Sequence, residues 1–341
     1  MRISRTLAAG FGLVALACTA MSTAAEAQTK LRFQTHHSAN SLQGKALIRF
    51  AGLVKDMSGG RLVVEMLTSS AAVKSNEVFE AAATGILDGD ATGAGYVTNK
   101  DAAFQFFGDV MGGYDKADQV YGWFDDGGGR AIADELYHRF NMHLVGIFVA
   151  SPESLGSTKP LAGIADLKGW KFRSPPGMES EIFQKLGSGP VVMPFGEVFT
   201  AMSSGVVSGA DASTLAVNKG LGLYDVGKHT TYPGFHSMPI EHVTINLDKW
   251  NALPDDLKRV MEKAVEQIAA EVPKQSAADD EAAASELSKA GVTLHDWSAE
   301  DRAQFRKVAQ QVWADWAKRT PTAKKAYDSH VTYMKKIGLL Q

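Results

Sequence analysis

Arg173 stands at the end of the short run "WKFR" and immediately before "SPPG" (residues 170–177). A guanidinium presents a planar fork that pairs with a carboxylate through two hydrogen bonds, a geometry lysine cannot reproduce. Strand alternation puts Trp170 and Phe172 on one face and Lys171 and Arg173 on the other. Pro175, Pro176 and Gly177 restrict the loop that follows, which fixes the arginine's root at little entropic cost. Ligands of open α/β folds sit beyond the carboxyl ends of the strands, where this reading places Arg173. The stretch therefore reads as an anion clamp. The alternative is a surface arginine paired with a nearby acid, but exposed pairs contribute little and need no such frame. Asp211, at the end of "VVSGADA", is either a functional carboxylate or the N-cap of the next helix, with Ser213 and Thr214 as competing caps.

Other chemistries find little support. The sequence has no Gly-x-Ser-x-Gly elbow, no phosphate loop ending in Gly-Lys-Ser or Gly-Lys-Thr, no His-Glu-x-x-His and no strand-linked Gly-x-Gly-x-x-Gly. "DDGGGR" (125–130) lacks the lysine and hydroxyl of a phosphate cradle and reads as a loop or helix start. Of nine histidines, His36 and His37 are adjacent, so on a strand they point to opposite faces, and His236 and His242 lie six apart across a proline. Neither pair has the spacing of a structural zinc site. The single cysteine, Cys18, lies in the leader described next, which leaves the rest of the chain without disulfide or thiolate chemistry.

Residues 1–27 read as a secretory signal peptide, with basic Arg2 and Arg5, an apolar run from Leu7 to Met21 and a small-x-small site at Ala25-Glu26-Ala27. The chain that follows is expected in the periplasm. The whole sequence carries a net charge of −3, and removing the leader's net +1 (Arg2, Arg5, Glu26) leaves −4. A mildly acidic chain without a basic tract gives no reason to expect nucleic acid. Strand-like and helix-like segments alternate. "LRFQTHH" and "RLVVEML" read as strands around the helix "SLQGKALIRFAGLVKDMSGG"; "SNEVFEAAATGILDGD" reads as a capped helix and "ATGAGY" as the end of a buried strand. A second run begins at "HLVGIFVA" (143–150) and continues through "WKFR", "MESEIFQKLG", "PVVM", "GEVFTAMSSG" and "VSGADA". Long helical stretches follow, from Pro254 to about Gly291 and from Ser298 onward, and Pro273 is expected to end or kink the first. The fold class expected is α/β with parallel sheets covered by helices. Its lobes are residues 28–150 plus about 239–290, and residues 151–238, with C-terminal helices from 291 to 341 packing on them.

"DMSGGRLVVE" (56–65), "LKGWKFR", "KLGSGPVVMPFGEVFTAMSSGVVSGAD" (185–211) and "YPGFH" (232–236), in this order, resemble the substrate-binding proteins of TRAP-type (tripartite ATP-independent periplasmic) transporters. Within them they are most similar to the branch that binds 2-oxo and 2-hydroxy monocarboxylates, often with a metal ion. The resemblance implies a two-lobed periplasmic binding protein fold with crossover strands. It also implies capture of a small carboxylate for the small and large membrane subunits of a transporter, without enzymatic activity. By the same resemblance the carboxylate-pairing arginine falls on Arg173 and the cation-ligating acid on Asp211. The backbone-oxygen ligand falls on Ala212, where the usual aromatic ring is absent. A residue shared by ligand and cation falls on Glu153 in "ASPESLGS", where glutamine is usual, and the polar position after "YPGFH" falls on Ser237. Asp211, Glu153 and backbone oxygens would hold Ca²⁺ or Na⁺. Tyr96, Phe235 and His236 are expected to complete the ligand pocket, with Asn218, Gln34 and His37 as further candidates. A dicarboxylate, sugar acid or aromatic acid as ligand, a periplasmic enzyme using Asp211 or His236 as base, and a ligand sensor stay open, as does the oligomeric state.

Overall fold

The structure, a computed structural model, describes residues 28–340; the expected leader lies outside them. Among these residues eleven strands are numbered in chain order: β1 (Thr29–Gln34), β2 (Leu62–Leu67), β3 (Gly89–Asp90), β4 (Met142–Val149), β5 (Ser154–Ser157), β6 (Lys171–Ser174), β7 (Gly189–Val192), β8 (Gly209–Ser213), β9 (His229–Thr231), β10 (Ile240–Asn246) and β11 (Thr293–His295). They form one sheet of order β2-β1-β3-β10-β4 and another of order β11-β9-β5-β8-β6-β7, both flanked by helices. Mixed α/β architecture follows from the sequence pattern. "HLVGIFV" is an unbroken apolar run because β4 is buried along nearly its whole length, as strands covered on both faces must be. On β6 the alternation holds: Trp170 and Phe172 stack with centroids 4.4 Å apart on the core side.

The sheets are not purely parallel. β10 runs antiparallel to β3 and β4, and β5 antiparallel to β8 and β9. Each of these strands enters directly from the other sheet, β5 from β4 and β10 from β9, with no returning helix to restore its direction. The two crossing segments run side by side, the Glu153 N–H donating to the Ser237 carbonyl at 2.9 Å. Gly234 permits this approach, since a Cβ there would lie 2.2 Å from the Glu153 carbonyl oxygen and 2.5 Å from that of Pro152.

Two local expectations are corrected. "ATGAGY" is not a regular strand: β3 ends at Asp90, an isolated bridge joins Gly93 to Glu241, and Ala94–Val97 forms a 3₁₀ turn that carries Tyr96. The strand "LRFQTHH" ends at Gln34, so His36 and His37 escape strand alternation. The helix Asp255–Lys289 runs through Pro273 without ending. Proline cannot donate to the carbonyl four residues earlier, but the Tyr121 hydroxyl donates to that Ala269 oxygen at 3.0 Å while accepting from the Val149 N–H at 3.0 Å. The last helical stretch is two helices, Ala299–Ala317 and Pro321–Lys336.

Candidate functional site

Arg173 is the third residue of β6, between β7 and β8. It is 1% exposed, and a charge so deeply placed must be paired or hydrogen-bonded. Its Nε donates to the Met193 carbonyl at 3.2 Å and its Nη1 to the Asp211 carbonyl at 2.6 Å, while Nη2 makes no hydrogen bond among the described residues. Two backbone oxygens thus lock the guanidinium with part of its fork still free. The turn after it is equally fixed. Gly177 adopts φ 118°, a Cβ there would meet the Gln105 Oε1 at 2.2 Å, and that oxygen accepts from the Met178 N–H at 2.7 Å.

Around Arg173 lies a small cavity of about 90 Å³, lined among others by Tyr96, Asp109, Glu153, Glu179, Asp211 and Glu241. Two roomier grooves, of about 910 and 1070 Å³, flank the helix Asp255–Lys289. They are open to solvent and bordered by exposed charges such as Lys45, Arg49, Lys116 and Arg130, whereas the small cavity holds buried charge. Size alone does not mark the site; convergent polar groups do.

The acids are concentrated beyond what Arg173 can balance. Burial pushes the Glu153 carboxyl well above its ordinary range, and the neighbouring Asp211 adds to this; Glu179 is raised for the same two reasons. Asp211 goes the other way. Burial acts against its charge, but the nearby His236, the neighbouring Glu179 carboxyl and the Arg173 guanidinium hold it below the usual carboxylate value. One acid is therefore favoured in its charged form beside neighbours whose charged form burial disfavours. Ser237 links a further pair, its Oγ lying 2.6 Å from Asp109 Oδ2 and 2.8 Å from Glu153 Oε2. A hydroxyl has a single proton, so one of these acids supplies the second, and Asp109, pushed up to about 7 by burial, is suited to do so. The Nε2 of His236 is 3.3 Å from Asp211 Oδ1, within ion-pair distance but not in hydrogen-bonding geometry.

Opposite stand His36 and His37, their rings 4.0 Å apart. His37 Nε2 pairs with Glu241 Oε1 at 2.9 Å. Tyr96 and Phe195 pack edge-on against His36, at 5.2 and 5.0 Å. Burial, then His37 and Arg173, hold the His36 imidazole well below its ordinary pKa, so it is neutral.

Both oxygens of Asp211, Glu179 Oε1, Glu241 Oε2 and Arg173 Nη2 are buried without a hydrogen-bond partner among the described residues. A buried polar group left unsatisfied costs roughly 1–3 kcal/mol. Carboxylate oxygens with free lone pairs suit a hard cation, and the free guanidinium edge suits an anion. Ligand atoms of Glu153, Asp211 and His236 lie within 4.8 Å of one another. The residues present thus fit an anion and a cation bound side by side.

Of the residues expected from the sequence, Arg173, Glu153, Asp211, Ala212, Ser237, Tyr96 and His37 line the cavity. His236 stands behind Asp211. Phe235 does not line it: its ring packs on Trp297 at 4.7 Å and Phe305 at 5.6 Å. Asn218 instead ties two strands together, donating to the Ser154 and Ser213 carbonyls at 2.8 and 2.9 Å. Gln34 is likewise satisfied by the backbone of Ala72 and Val73. The sequence reading missed Asp109, Glu179, Glu241 and His36. Asp109 had a signal, an isolated acid in the apolar run "FQFFGDVM"; Glu179, in a helix's first turn, looks like an ordinary partner for the helix dipole.

Comparison with known proteins places this site in context. The family model described as bacterial extracellular solute-binding protein, family 7, matches residues 33–320. The chain is 26% identical over 286 residues to a monocarboxylate 2-oxoacid-binding periplasmic protein of Nostoc sp. strain PCC 7120, covering 83% of this chain and 78% of that protein. It is similar to a TRAP periplasmic solute binding protein from Rhodobacter sphaeroides in an apo open structure, at 32% identity and TM-score 0.73 over 91% of this chain and 99% of that one. It also shares its fold with a TRAP periplasmic solute binding protein from Colwellia psychrerythraea with bound calcium and pyruvate, at 21% identity and TM-score 0.80 over 92% and 96% of the two chains. The chain belongs to family 7 of the bacterial extracellular solute-binding proteins, the extracytoplasmic binding components of TRAP transporters.

Proposed function

We propose that the cleft captures a small 2-oxo or 2-hydroxy monocarboxylate together with a hard cation, Ca²⁺ or Na⁺, and delivers it unchanged to the transporter's membrane subunits. The observation that carries this reading is the buried Arg173, whose Nη2 makes no hydrogen bond among the described residues, in one cavity with the Asp211 carboxylate, whose oxygens accept no hydrogen bond there either. The ligand carboxylate takes the free edge of the guanidinium. Asp211, Glu153 and the Ala212 carbonyl hold the cation, which when bound neutralises their charge beside the anion. Ser237 and Asp109 keep Glu153 in place, and Tyr96 and His36 close the opposite wall. A cavity of about 90 Å³ is far below the roughly 300–1,000 Å³ of sites for drug-sized ligands, which favours a three- or four-carbon acid over a sugar acid. The 2-oxoacid-binding relative and the calcium- and pyruvate-bound neighbour support the same class.

Capture needs opening. In this reading lobe 1 (28–150 and about 239–290) and lobe 2 (151–238) close about the crossings near Ala150 and Met238, and closure is favoured by contacts made when the ligand bridges both. A thermal-shift screen of pyruvate, lactate, succinate, glucuronate and picolinate, with and without Ca²⁺, tests the assignment. Pyruvate or lactate with Ca²⁺ should give the largest shift, and mass analysis should recover the ligand unchanged. A larger shift with glucuronate would refute the ligand class, and turnover would refute the binding role.

A further inference from the structure

A second cluster of metal-binding side chains lies on the outer edge of the first sheet. Asp134 and His138 are four residues apart on the helix Gly129–His138 and therefore share a face. A tight turn through Asn141, at φ 55°, brings the chain back as β4, whose second residue is His143. One ligand atom from each of Asp134, His138 and His143 falls within 4.8 Å of the others. His138 Nε2 and His143 Nδ1 are 3.1 Å apart. Two nitrogens bound to one tetrahedral zinc, each about 2.0–2.1 Å from it, are separated by roughly 3.3–3.4 Å, so the imidazoles stand close to ligand spacing.

The surroundings hold that arrangement. The His143 ring is stacked on Trp250 at 4.2 Å and on His138 at 5.4 Å, which fixes its orientation. Arg130, a neighbouring cation, is drawn aside, paired with Asp125 at 3.2 Å and lying over the Phe124 ring at 4.7 Å. A hydrogen bond between the two histidines would explain one contact but not the carboxylate converging on both, which forms no salt bridge among the described residues. The three groups are partly exposed, so an ion has a direct path in.

We infer that Asp134, His138 and His143 form a peripheral site for a divalent transition metal of the Zn²⁺, Ni²⁺ and Cu²⁺ class. Two imidazoles and a carboxylate suit these ions, whereas Ca²⁺ takes oxygen ligands and should not compete. Coordination positions are left for water or an exogenous donor.

The test uses the untagged chain, since an oligohistidine tag would bind the same ions. Calorimetric titration with Zn²⁺ should show an equivalent that Ca²⁺ does not displace, and the Cu²⁺ form should give an electron paramagnetic resonance spectrum with nitrogen splitting from two imidazoles. His138→Ala, on an exposed side chain, should remove this equivalent and its two-nitrogen signature, and Asp134→Asn should weaken it by at least about tenfold. Both variants should bind the organic acid as the parent does, which separates this site from the cleft. Absence of a stoichiometric Zn²⁺ equivalent, or titration and spectrum unchanged in His138→Ala, would overturn the assignment.

Discussion

Replacing Arg173 by Ala removes the group that is proposed to hold the ligand carboxylate. The bound anion then loses its charged partner among buried side chains, and leaving a buried charge unpaired costs about 3–5 kcal/mol. At about 1.4 kcal/mol per tenfold, affinity for the organic acid should fall on the order of a hundred- to a thousand-fold or more. Arg173→Lys should also lose affinity despite keeping its charge, because one ammonium cannot serve the Met193 and Asp211 carbonyls and the ligand in the geometry the guanidinium uses. Isothermal titration calorimetry measures the loss, with circular dichroism to show that each variant is folded. Added guanidinium should partly restore binding to Arg173→Ala. An affinity within about tenfold of the parent in Arg173→Ala, or a loss seen only with unfolding, would refute the clamp.

Asp109 makes the ligand-free protein sensitive to pH. Its carboxyl is raised from 3.8 to about 7 in the folded state, so the folded protein keeps a proton that the unfolded chain releases, and stability falls as pH rises through that window. Asp109→Asn should flatten the dependence of Tm on pH between these values, leaving a residual slope of the same sign from Glu153 and Glu179; an unchanged slope would contradict it. Gly234→Ala should cost about 1–3 kcal/mol in urea unfolding and weaken ligand binding as well, because the added Cβ lies 2.2 Å from the Glu153 carbonyl oxygen and must displace that segment. Phe235→Ala should lower stability by about 3 kcal/mol with no change in Kd, since its ring packs on Trp297 and Phe305 away from the cavity. A Kd that rises while stability holds would place the ring in the site after all.

The features legible in the sequence were those set by local pattern. "WKFR" alternates, and its strand places Arg173 as expected; "YPGFH" marks a crossing whose glycine is demanded by the neighbouring backbone. What escaped were features created by the meeting of distant segments. The reversal of β5 and β10 depends on which sheet each crossing enters. Asp109 and Glu153 are brought to one serine from opposite sides of the chain, and no spacing rule connects them. His36 and His37 were misread because strand alternation was extended past Gln34. Pro273 sits inside a helix because a tyrosine far away in sequence satisfies the carbonyl it frees.

The central claim, that anion and cation are held together between Arg173 and Asp211, is tested most directly by titrating pyruvate into the same protein preparation in its Ca²⁺-loaded and chelator-stripped forms. Without the cation, the free oxygens of Asp211 face the incoming carboxylate and like charges oppose binding. Binding that is tight with Ca²⁺ and more than about tenfold weaker after chelation, with the loss reversed by adding Ca²⁺ back, is the predicted result. Equal affinity in the two forms would contradict a Ca²⁺-assisted site.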